Sequence, residues 1–98
     1  MRKPEEGVGM HQDLTPENNE FITKLRWMVN RDPDLLGNED IMKFVELAIF
    51  KASKNEPRDE IAKELDEELS DYLVKTDFKA PAGVKKLQAE LKKYTEVL

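Results

Sequence analysis

Apolar residues recur along this chain at spacings of three and four, in blocks separated by polar, proline-bearing stretches, and the pattern predicts four helices. The first block is Phe21, Ile22, Leu25, Met28 and Val29, which places one apolar face on a helix over 16–30. Its start is marked by Thr15 as a cap, Pro16 at the first helical position and Glu17 at the positive end of the helix dipole. It stops before Arg31-Asp32-Pro33-Asp34, because Pro33 disfavours helical geometry at Asp32. Leu35 and Leu36 in the connection are expected to tuck under the helices.

A second helix is predicted over 39–54, capped by Asn38 and opened by Glu39 and Asp40. Its apolar residues, among them Ile41, Phe44, Val45, Leu47, Ile49 and Phe50, form a belt wider than one stripe. That width predicts a helix touched on several sides, the most buried of the set, with Phe44 in the core. Asn55-Glu56-Pro57 makes a short turn into a third helix, so the two should be antiparallel neighbours. The third helix buries Ile61, Ala62, Leu65, Leu69, Tyr72 and Leu73; the pattern breaks over 75–80. Pro81 opens a fourth helix whose inner face is Val84, Leu87, Leu91, Tyr94 and Leu98. The expected fold is all-α, an antiparallel four-helix bundle over residues 15–98, preceded by a disordered, flexible N-terminal tail over 1–14 that holds Pro4, Gly7, Gly9 and His11.

Composition supports one folded domain and narrows its chemistry. With 98 residues there is room for a single core. Charged residues are 38% of the chain and hydrophobic residues 39%, but the latter cluster periodically, which argues against disorder. There is no cysteine, hence no disulfide framework and no thiolate metal site. No apolar run follows Arg2 and Lys3 as a signal peptide would require, and the most apolar stretch, 41–52, is broken by Lys43, Glu46 and Lys51. These features predict a cytoplasmic protein. A net charge of −5 opposes binding to nucleic acid unless a strong basic patch is present.

The inventory for catalysis is thin. His11 is the one histidine and sits in the tail, so Ser53 and Ser70 lack a base in the folded region. The acidic run Glu64, Asp66, Glu67, Glu68 and Asp71 lacks the Glu-x-x-His pairs of bundle metal centres, and no glycine-rich phosphate loop occurs. The reading is a binding protein, with no catalytic residue, no metal and no cofactor.

Three features are candidates for partner contact. Trp27 points nearly opposite the Phe21, Leu25 and Met28 stripe, so it is either a contact residue or packed locally against the tail or the Leu35-Leu36 connection. Phe78 is an apolar aromatic in the polar loop before Lys79, either a plug at the open end of the bundle or an anchor for a partner. Charge is also segregated. Residues 58–71 hold two basic against seven acidic side chains, while 79–98 hold five lysines against two glutamates. Lys85, Lys86, Lys92 and Lys93 repeat at a spacing of seven and share one side of the fourth helix. That side either pairs with the acidic third helix or forms, with Lys79, a docking surface.

With four helices in this order, the chain resembles the immunity proteins of class IIa, pediocin-like bacteriocins over about residues 16–98. The segment Asp40-Ile41-Met42-Lys43-Phe44-Val45-Glu46-Leu47-Ala48 is similar to that family's second helix. Leu65-Asp66-Glu67-Glu68-Leu69-Ser70-Asp71-Tyr72-Leu73 is similar to its third, and Ala80-Pro81-Ala82-Gly83-Val84-Lys85-Lys86-Leu87 to the proline-led entry of its fourth. The resemblance implies a cytosolic four-helix bundle that protects a bacterium from a membrane-permeabilising peptide, and the wide apolar belt ringed by narrower stripes predicts that it is a monomer. It implies association with the mannose phosphotransferase permease that serves as bacteriocin receptor, with peripheral membrane contact, and specificity in the C-terminal half. On this chain that half comprises the third helix, the loop 75–80 and the fourth helix. Trp27 is singled out by its phase alone. The alternative is a small helical regulator of phage origin that binds a transcription or replication protein. A helix-turn-helix reading is weaker, because the helix after Asn55-Glu56-Pro57 is acidic where a recognition helix needs basic and amide side chains.

Overall fold

The computed structural model describes residues 14–95, all of whose regular structure is helical: α1 Pro16–Asn30, α2 Pro33–Leu36, α3 Glu39–Ser53, α4 Arg58–Lys75 and α5 Gly83–Thr95. The tail expected over 1–14, with His11, lies outside the described residues except for Leu14, as does Leu98. Each long helix starts where its local chemistry dictates. Thr15 Oγ1 accepts from the Asn18 N–H at 3.2 Å, and Asn38 Oδ1 accepts from the Ile41 N–H at 3.1 Å. Asp32 Oδ1 accepts from the N–H groups of Asp34 and Leu35, which turns the connection into α2, a fifth helical element that spacing alone did not predict. That one-turn helix buries Leu35 in the core and leaves Leu36 exposed, so only one of the pair tucks in.

The ends of α3 and α4 share a device. Asn55 has a φ of 62°, its N–H donates to the Ala52 carbonyl, and the Glu56 N–H reaches back to the Lys51 carbonyl. At α4 the same role falls to Asp77, φ 58°, with the Phe78 N–H donating to the Leu73 carbonyl at 2.7 Å. Both caps use a non-glycine residue in the left-handed region, which asparagine and aspartate tolerate better than most.

The core is continuous. Phe21, Leu25 and Val29 of α1 meet Ile41, Val45, Ala48 and Ala52 of α3, Ile61, Leu65 and Leu69 of α4, and Val84, Leu87 and Leu91 of α5. α4 packs most extensively against α5 and then α3, while α1 packs on α3. The short 54–57 connection makes α3 and α4 antiparallel. Phe21 and Tyr94 meet edge to face at 5.1 Å, and the Arg58 guanidinium lies 5.0 Å from the Tyr94 ring, so α1, α4 and α5 are tied at one point.

The broad belt of the second predicted helix is not buried all round. In α3 only Ile41, Val45, Ala48 and Ala52 are buried, Phe44 and Ile49 are half-buried, and Leu47 and Phe50 are exposed. A belt width counts apolar residues but not the neighbours available to cover them, and among the described residues α3 packs chiefly against α4, α1 and α2. α1 and α4 each bury five residues, one more than α3. The fourth predicted helix also starts later than Pro81, at Gly83, because Pro81 and Ala82 form a turn that receives the N–H groups of Val84 and Lys85.

Candidate functional site

Two surfaces gather the residues singled out by sequence. The first is the loop that leaves α4. Its helix ends at Lys75, Thr76 folds its hydroxyl back onto the Tyr72 carbonyl at 2.9 Å, and Asp77 and Phe78 follow with φ values of 58° and 62°. A bulky aromatic in the left-handed region is strained, because its Cβ crowds the following carbonyl, and the cost is about 1–2 kcal/mol. The strain does not serve burial. Phe78 is 66% exposed, and the neighbouring Val74 and Lys79 are exposed as well.

Lys85, Lys86, Lys92 and Lys93 are all exposed on α5. They do not pair with the acidic helix: among the described residues, no salt bridge joins α4 to α5, and Lys93 bonds to Glu90 of its own helix at 3.1 Å. The polar link between the two helices is instead Gln88, whose Nε2 donates to Ser70 Oγ at 3.0 Å. The acids of α4 find one cationic partner in α3, Lys51 with Glu64. That pairing raises the Lys51 pKa, first through the hydrogen bond to Glu64.

The second surface is a groove of about 290 Å³ where α1, α2 and the start of α5 meet. Trp27 forms one wall and Lys86 the other, so the structure brings together two residues that the sequence separates by most of the chain. Met28 and Leu35 line it, together with Gly83. Glycine is required there by packing: a Cβ on Gly83 would lie 2.3 Å from Asp32 Oδ2 and 2.9 Å from two Leu35 carbons. Trp27 is 50% exposed and shares this groove with Leu35 of the connection, while the tail lies outside the described residues apart from Leu14. Its ring is flanked by the Lys24 ammonium at 4.6 Å and the Arg31 guanidinium at 4.4 Å, partners that sequence phase did not identify although both sit within four residues, Lys24 on α1 and Arg31 at its C-cap.

Another groove, about 380 Å³, runs between α3 and α4, where Phe44 and Tyr72 meet edge to face at 6.1 Å beside Asp40, Glu68 and Asp71. Burial raises the Glu68 pKa above the usual carboxylate range, with Lys51 opposing. Among the described residues no group of three acidic or histidine side chains could hold a metal ion, and no helix is long and apolar enough to cross a membrane.

The sequence model of the bacteriocin immunity protein family matches residues 16–96. No curated protein and no solved structure gives a significant match to the chain.

Proposed function

The chain belongs to the bacteriocin immunity protein family, and on that premise we propose that it protects a bacterial cell from a pediocin-like peptide by binding the bacteriocin receptor complex from the cytoplasmic side. The receptor on this reading is the mannose phosphotransferase permease with bound bacteriocin, and the protein acts as a monomer without chemical turnover. The observation that carries the reading is Phe78, an aromatic side chain exposed on a strained backbone at the end of α4. Strain without burial is retained when the side chain serves a partner. Lys79 beside it and the exposed Lys85, Lys86, Lys92 and Lys93 of α5 supply a basic surface in an otherwise acidic chain. The regulator reading rests on helical class alone.

Co-purification tests the reading. The tagged protein, expressed in a bacteriocin-sensitive strain, should retain the permease from cells exposed to the bacteriocin and confer protection in the same culture. Protection without recovery of the permease under any exposure would place the immunity function on another partner.

A further inference from the structure

We propose that the groove between Trp27 and Lys86 is a docking cleft for an acidic protein segment that also presents an apolar side chain. The inference stands apart from the immunity reading, since it concerns the chemistry that the cleft accepts.

Its walls are cationic and aromatic. Lys24 and Arg31 stack on the half-exposed Trp27 ring, and Lys86 faces them from α5. Among the described residues none of these three cations has a carboxylate partner, although acidic residues outnumber basic ones by 21 to 16. Three cations around a single cleft whose lining holds one carboxylate make a local positive potential. The one carboxylate in the lining, Asp32, is engaged at the start of α2 through Oδ1. The seven acids of α4 lie outside the lining.

The shape selects the partner. Between the cations the groove is floored by Met28 and Leu35, so a ligand must pair charge at the rim and place a hydrocarbon or aromatic group against Trp27. A free phosphate lacks that group, and a nucleic acid, which has aromatic bases, would bring a long run of negative charge against a chain of net charge −5. A bilayer surface would meet the exposed lysine side of α5 more readily than a concave cleft. An acidic peptide segment satisfies rim and floor together.

Trp27 is the one tryptophan of the chain, so its emission reports occupancy of the cleft directly. The full chain is titrated with a short capped peptide of alternating glutamate and leucine, with the glutamine-for-glutamate peptide, and with vesicles of phosphatidylglycerol. The proposal expects a saturable emission change with the glutamate peptide that weakens as salt is raised. The double variant R31Q/K86Q, with its helical circular dichroism intact, should bind roughly five- to tenfold more weakly. Equal binding of the glutamine peptide, an unchanged affinity in the double variant, or a response to vesicles but not to the peptide would each overturn it. None of these outcomes bears on protection, which is measured in cells.

Discussion

Asn18 in α1 donates its side-chain amide to the Ala52 carbonyl at 3.0 Å and to the Glu56 carbonyl at 2.8 Å, and so closes the end of α3 from another helix. It is the one polar residue among the buried side chains described, at 5% exposed. The Ala52 carbonyl also accepts from the Asn55 N–H, so the amide adds a second donor there, and it supplies a donor to the Glu56 carbonyl in the connection beyond the helix. Replacing Asn18 by leucine should lower stability by about 1–3 kcal/mol despite the added apolar surface, because buried acceptors then lose this donor. Asn18→Asp should be at least as damaging, since a carboxylate faces two carbonyl oxygens. Denaturant midpoints at constant slope measure both, and a midpoint within error of the parent would show that water replaces the amide.

Asn38 has two duties as well: it caps α3 and donates to the Tyr72 hydroxyl at 2.9 Å. Asn38→Ala should cost about 1–2 kcal/mol, and Tyr72→Phe, which removes only the second bond, about 0.5–1.5 kcal/mol. A double-mutant cycle between them should give a coupling that differs from zero; strict additivity would mean that the cross-helix bond contributes nothing.

Core truncations separate the two aromatic positions that the apolar pattern treats alike. Phe21 is fully buried, and Phe21→Ala should cost about 3–5 kcal/mol. Phe44 is half-buried at the α3–α4 groove, so Phe44→Ala should cost clearly less. Equal losses in thermal or chemical unfolding would place Phe44 in the interior after all.

Glu68 carries a pH dependence. Its folded-state pKa is raised, chiefly by burial, so the folded protein binds the proton more tightly than the unfolded chain does. Stability from this group is therefore full below the ordinary glutamate pKa and is lost as pH rises through the folded value. Glu68→Gln should raise the midpoint at neutral pH, by under about 0.5 kcal/mol because solvent screens this half-buried site, and the gain should vanish in acid. A gain that grows as pH falls would have the wrong sign.

Much of the fold was legible because helix boundaries are local. Thr15, Asn38 and the proline-bearing connections state where helices begin, and the residues Phe21, Leu25, Leu65, Leu69, Val84, Leu87 and Leu91 fall in the core as their spacing requires. What was not legible depends on contacts between distant segments. Asn18 is a polar residue in the first turn, and no period identifies it as a clamp on residues 34 and 38 positions away. The short α2 escapes periodicity because one turn is too brief to show a repeat. The phase of Trp27 correctly put it on the surface, while its convergence with Lys86 required the close seating of Gly83 against α2.

The central claim is that the C-terminal half acts by offering Phe78 to a partner, and Phe78→Gly tests it most directly because it moves stability and function in opposite directions. Glycine relieves the left-handed backbone at φ 62° and should raise the unfolding midpoint, by about 1 kcal/mol, while removing the aromatic ring. The account predicts a stabler protein that no longer protects a bacteriocin-sensitive strain. A stabilised variant with full protection would contradict it.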